Sequence, residues 1–168
     1  DYHTCVILDN GSVSCWGRNP SGQLGNGGNT VKNVPTLTSS LGSGRTAIAI
    51  SAGEEHTCVI LDSGSVSCWG GGYYGQLGNG ANNLGVYSPS PPINLGVSRT
   101  AVALDAGTRH TCAILDNGSV SCWGINYYGQ LGNGESGQSA DKNVPTLIAS
   151  LGLGRTAIGI ASGQHHSC

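Results

Sequence analysis

The chain has 168 residues, of which 29 are glycine, 10% are charged and 38% are hydrophobic, with neither Phe nor Met. That mixture excludes a helical fold, since glycine costs about 1 kcal/mol per helical position relative to alanine. It also excludes disorder, which goes with high charge and few β-branched residues. A formal charge of −2 provides no basic stripe for nucleic acid or an anionic membrane, and no apolar run approaches the roughly 20 residues of a membrane helix.

In chain order, a first strand is predicted at Thr4–Leu8 and a second at Ser12–Trp16, joined by the turn Asp9-Asn10-Gly11. A variable stretch, Arg18-Asn19-Pro20-Ser21, leads into the glycine-rich loop Gly22-Gln23-Leu24-Gly25-Asn26-Gly27. A proline-bounded strand near Val34–Thr38 and an alternating strand, Thr46–Ile50, complete the unit. The stretch from His3 to Gly17 then returns at His56–Gly70 and His110–Gly124, and starts again at His166-Ser167-Cys168. The histidines at 3, 56, 110 and 166 therefore set spacings of 53, 54 and 56 residues.

A period near 50 marks stacked supersecondary units that cannot bury a core alone. The units run 1–55, 56–109 and 110–165, with 166–168 opening a fourth. Gly11, Gly64 and Gly118 supply the left-handed position that a three-residue hairpin loop wants, and Pro35 at the start of a strand indicates an edge or entry position. Apolar residues on both faces of each hairpin imply packing on both sides. The expected architecture is all-β, with β-propeller-type repeats of four-stranded antiparallel blades stacked around an axis, about three repeats of a larger propeller or array. Both ends of the chain read as cuts through such an array.

The seven cysteines fall as Cys5 with Cys15, Cys58 with Cys68, Cys112 with Cys122, and Cys168 alone. A three-residue loop places residue 5 opposite residue 15, and directly opposed residues at a non-hydrogen-bonded site are close enough for a cross-strand disulfide. Two alternatives stay open: free buried thiols, and a metal site of His3, Cys5 and Cys15, which offers three ligands where structural zinc wants four. Three disulfides imply an oxidising compartment, hence a secreted or cell-surface protein. The mate of Cys168 is expected about ten residues further on, by the spacing of the other pairs; the alternative is an intermolecular bond.

A strand, an Asp-x-Gly turn, a strand ending in Trp-Gly and then Tyr-Gly-Gln-Leu-Gly-Asn-Gly resembles the repeats of the regulator of chromosome condensation family, most clearly at His56–Gly80 and His110–Gly134. The resemblance covers essentially the whole chain. It implies a β-propeller, commonly of seven four-stranded blades, with about one repeat per blade. The cysteine pairs and the lack of a basic tail depart from the nuclear members. Guanine-nucleotide exchange is accordingly a minor alternative, and fold alone does not carry function across.

Internal repetition separates scaffold from site. Residues present in every unit serve what every unit needs: Trp16, Trp69 and Trp123 as packing, His3, His56 and His110 as hydrogen-bonded structural residues, and Gln23, Gln76 and Gln130 as partners of loop backbone. Arg45, Arg99 and Arg155 each precede Thr-Ala and are expected to tie a strand to a neighbouring turn. Variable positions are free to serve one site. Those before the shared Gly-Gln-Leu-Gly include Arg18, Asn19, Tyr73, Tyr74, Tyr127 and Tyr128, on loops that equivalence places on a common face. Tyrosines there are good contact residues, or else simply cover the blade edge.

No catalytic constellation is visible, and no cofactor or metal is called for. The glycine-rich loop lacks the Lys-Ser/Thr and the helix of a phosphate-binding loop. Glu54 and Glu55, being adjacent, point apart and make a poor acid–base pair. Asn10-Gly11-Ser12 and Asn117-Gly118-Ser119 fit the N-glycosylation pattern at exposed hairpin tips. The expected function is a protein-binding or adhesive extracellular module whose partner is another protein or neighbouring copies of the chain. The alternative is a structural subunit of an extracellular fibre built from stacked repeats.

Overall fold

The structure is a computed structural model, and it describes residues 2–168. Its strands are β1 (His3–Ile7), β2 (Val13–Gly17), β3 (Lys32–Leu37), β4 (Ala47–Ala52), β5 (His56–Leu61), β6 (Val66–Gly72), β7 (Asn83–Val86), β8 (Ala101–Ala106), β9 (His110–Leu115), β10 (Val120–Gly124) and β11 (Lys142–Leu147). They form three antiparallel sheets: β1-β2-β3, β4-β5-β6-β7 and β8-β9-β10-β11.

The hairpins follow the local reading. Gly11, Gly64 and Gly118 each adopt φ +76°, a left-handed value that L side chains rarely take. The turn they close sets the register, so that Cys5 faces Cys15, Cys58 faces Cys68 and Cys112 faces Cys122. All three pairs are bonded, with Cα atoms 4.1 Å apart, as suits opposed residues at a non-hydrogen-bonded site. Neither free thiols nor a metal site forms at these positions.

The grouping of strands differs from the sequence expectation. The last strand of the first and second sequence units does not join the sheet of its own unit, and the matching segment of the third, residues 156–160, forms no strand. Instead β4 pairs with β5 and β8 with β9, one unit further on. Chain connectivity explains this. β4 and β5 are linked by a tight turn in which the Gly53 N–H donates to the His56 carbonyl (2.9 Å), and Gly107 repeats it with His110. β3 and β4 are instead separated by residues 38–46, enough chain to cross to the next sheet. Sequence unit and blade are thus out of phase by one strand.

The core lies between the sheets. One cluster joins Val13, Cys15 and Leu24 of the first sheet to Val59, Leu61 and Trp69 of the second. Another joins Ile60, Val66 and Leu77 of the second to Ala113, Leu115 and Trp123 of the third. A third, of Cys112, Ile114, Val120, Cys122 and Leu131 with Ile148 and Ile160 against them, covers the far side of the third sheet. β5, β6, β9 and β10 are therefore buried at every residue: a strand covered on both faces loses the inside–outside alternation. β1, by contrast, still alternates.

Candidate functional site

The residues shared by every unit build the seams between sheets. At the seam of the second and third sheets, the Trp123 indole N–H and the Thr111 hydroxyl both donate to the Gln76 carbonyl, at 2.9 and 3.0 Å. His56 Nε2 lies 2.9 Å from the same hydroxyl. The hydroxyl spends its one proton on Gln76, so the histidine must carry hydrogen on Nε2 and donate it. The preceding seam repeats the arrangement with Trp69, Thr57, Gln23 and His3. His110 meets Ser167, whose hydroxyl donates to the Gln130 carbonyl.

Nδ1 of His3, His56 and His110 is buried without a partner. A proton there would be stranded away from water, so burial pushes the His56 pKa down to about 3, helped by the charges of His3 and His110. Burial likewise lowers His110 and His3 to about 4. All three rings are therefore neutral at physiological pH and act as structural donors.

The glutamines also do as the sequence reading expected. Gln23, Gln76 and Gln130 accept backbone N–H groups of Ser21, Tyr74 and Tyr128 through Oε1. Arg45 and Arg99 pair with Asp62 and Asp116 at 3.3 and 3.0 Å, tying the approach to β4 and β8 to the hairpin turn of the same sheet.

The variable loops occupy one face, at the ends of the hairpins away from the turn tips. There the residue before each Gly-Gln contacts the residue before the histidine of the next unit. The Ser21 hydroxyl donates to Glu55 (3.0 Å), Arg109 donates to the Tyr74 hydroxyl (3.2 Å), and the Tyr128 ring lies against His165 with centroids 5.0 Å apart. Around these pairs, Arg18 bridges Glu55 at 3.2 Å and covers the Tyr2 ring, while Arg109 bridges Glu54 at 3.2 Å and covers the Tyr74 ring. Each seam carries its own clasp above a shared joint.

Six residues were singled out as candidate contacts, and the structure sorts them. Tyr73 meets Tyr74 edge to face at 5.0 Å, and Tyr127 meets Tyr128 at 4.8 Å. Tyr73, Tyr127 and Tyr128 are 62%, 46% and 65% exposed. Arg18 is exposed and salt-bridged. Asn19 is a correction: it is fully buried, so it is not a surface contact. Its Oδ1 accepts the Leu24 N–H, and its Nδ2 donates to the carbonyls of Gly28 and Thr30. Asn126 does the same for Leu131 and Glu135, and that repetition was the available signal of a scaffold role. The sequence reading missed Tyr2, Glu55, Arg109 and His165 as members of the face. The signal was that this position, before the histidine, varies from unit to unit just as the tyrosine loops do.

Among the described residues no group of three or more His, Cys, Asp or Glu side chains could hold a metal ion. No helix of the structure is long and apolar enough to cross a membrane.

Comparison with known proteins agrees with this architecture. The regulator of chromosome condensation (RCC1) repeat matches residues 10–60, 63–114 and 117–168. The chain is similar to the ultraviolet-B receptor UVR8 of Arabidopsis thaliana, 33% identical over 80% of this chain and 30% of the receptor. It is 34% identical to the human probable E3 ubiquitin-protein ligase HERC4 over 99% of this chain but 15% of the ligase. Among solved structures, Prp20p of Saccharomyces cerevisiae, described with its binding properties to Gsp1p and histones, superposes with a TM-score of 0.82 at 20% identity, over 99% of this chain and 41% of that one. The chain thus spans less than half the length of each of these proteins. With three matches that cover nearly all of its residues, it belongs to the RCC1 repeat family.

Proposed function

We propose that the chain is a non-enzymatic, protein-binding section of an extracellular β-propeller that meets its partner through the variable loop face. The observation that carries this reading is the pair of edge-to-face tyrosine couples, Tyr73–Tyr74 and Tyr127–Tyr128. Each couple is anchored by a buried glutamine that accepts the backbone N–H of its second tyrosine. Tyrosine offers a large amphipathic contact area at a low cost in side-chain entropy. Anchoring the loop removes part of the ordering cost that binding otherwise carries. The charges on this face are largely paired internally, Arg18 with Glu55 and Arg109 with Glu54, which favours an uncharged, aromatic-compatible protein surface as partner.

Two further points support the reading. Prp20p, with the same fold, is described as binding Gsp1p and histones, so surfaces of this architecture serve protein recognition. Three disulfides in a short chain belong with an oxidising compartment. The test is site-specific photo-crosslinking on native material, with the reactive group at Tyr73, at Tyr127 or at the tip residue Asn117. Crosslinks to a second protein from the tyrosine positions, and none from Asn117, are expected. Adducts from Asn117 alone, or from no position, would overturn the proposal.

A further inference from the structure

We infer that the opposite face carries sugar, with Asn10 and Asn117 as N-glycosylation acceptors. This rests on the extracellular reading above, since the modifying machinery belongs to the secretory route, but it concerns different residues and a different face.

Both asparagines are exposed at hairpin tips, each in the Asn-Gly-Ser pattern that defines an acceptor. The two tips are alike in detail. Oδ1 of Asn10 accepts the Ser12 N–H at 3.0 Å and the Ser12 hydroxyl at 2.7 Å. Oδ1 of Asn117 accepts the same groups of Ser119 at 3.1 and 2.6 Å. The serine hydroxyl therefore acts on the asparagine amide itself, leaving the nucleophilic Nδ2 side of each amide turned away from the turn's own bonds.

The middle unit supplies an internal control. Its tip is Ser63-Gly64-Ser65, and there the Ser63 hydroxyl takes over the bond to the Ser65 N–H at 3.4 Å, with the same φ of +76° at Gly64. The turn therefore does not require asparagine. The first and third tips carry an acceptor amide that the second shows to be dispensable for the fold.

Space also permits the attachment. Asn117 and Ser119 line a solvent-open cleft of about 1130 Å³ that runs along Pro91, Pro92, Val144 and Leu147. Nothing packs over the acceptor, and the first sugars have an apolar wall to lie on. The Asn117 tip stands at the far end of the five-residue β10 from Tyr127 and Tyr128, roughly 17 Å away at about 3.3 Å per residue. Sugars at the tips would therefore leave the tyrosine face bare and bias partners toward it.

In the transfer, the donor is a polyprenyl-diphosphate-linked oligosaccharide. A bond forms between the asparagine Nδ2 and the sugar C1, while the bond from C1 to the diphosphate oxygen breaks. The diphosphate leaves with the electron pair, and the amide gives up one proton.

The test is intact mass of the native protein before and after treatment with an amidase that releases N-glycans and converts each occupied Asn to Asp, each measured with and without reduction. Peptide mapping then locates the converted residues. Conversion at Asn10 and Asn117, abolished at the first site by Ser12→Ala and kept by Ser12→Thr, is the expected result. Disulfides without any conversion would overturn this inference and leave the extracellular reading standing. Free thiols without conversion would sink both.

Discussion

The His56 imidazole donates through Nε2 to the hydroxyl of Thr111 on the next sheet, at 2.9 Å, and both residues are completely buried. Thr111 passes its own proton to the Gln76 carbonyl, so a single hydroxyl links a ring in one sheet to a hairpin of the next and a glycine-rich loop. Thr111→Val keeps the shape and removes the relay, leaving the His56 N–H buried without an acceptor. An unsatisfied buried donor costs about 1–3 kcal/mol, so urea unfolding should show a loss of that size. Thr111→Ser should recover most of it.

The same histidines give the fold an acid sensitivity. In the unfolded chain a histidine takes up its proton near pH 6.5, whereas folded His56 does so only at about 3, and His3 and His110 at about 4. Between those values the unfolded state binds more protons, so stability rises with pH across the window. It is complete above about pH 6.5 and falls as the pH drops towards 4, by roughly 1 kcal/mol per pH unit for each histidine. Unfolding curves at several pH values from 7 to 4 check the slope. His56→Gln, which retains a donor but no titration, should remove the share of one histidine.

Each disulfide closes a short hairpin between residues 10 apart in sequence. On the chain-entropy model, removing one should cost about 3 kcal/mol. The double variant Cys58→Ala/Cys68→Ala is expected to show that loss by calorimetry under non-reducing conditions. Under a reducing agent strong enough to open all three pairs, the gap between this variant and the parent should shrink by the same amount.

Close approach at the seam makes one glycine irreplaceable. A methyl group on Gly53 would sit 2.5 Å from both His56 Nδ1 and the Gly107 carbonyl oxygen, so neither the ring nor the backbone could stay in place. Overpacking of this kind costs about 3 kcal/mol, and Gly53→Ala should lower the thermal midpoint accordingly. Gly159 meets nothing within 4 Å, and Gly159→Ala should change stability by less than about 0.5 kcal/mol.

What could be read from the residue string is what short-range geometry decides. Asp9-Asn10-Gly11 sets a turn, the turn sets the register, and the register brings Cys5 to Cys15, all within about ten residues of chain. The packing of both hairpin faces and the role of Gln76 were likewise visible, because every unit repeats the same requirement. The partner of β4 was not: alternation in Thr46–Ile50 says that a strand forms, not which hairpin it joins, and the tight turn at Gly53 sends it to the next one. The recurrence of Asn19 as Asn126 hinted at a scaffold role, but the bonds that bury it form only when the loop closes around it. His56 and Thr111 lie in different units, Tyr74 and Arg109 beside different sheets 35 residues apart, and each pair meets only when the sheets stack. Those pairings belong to the tertiary structure alone, because no local preference spans such a distance and only the burial of a shared apolar face brings the two sheets together.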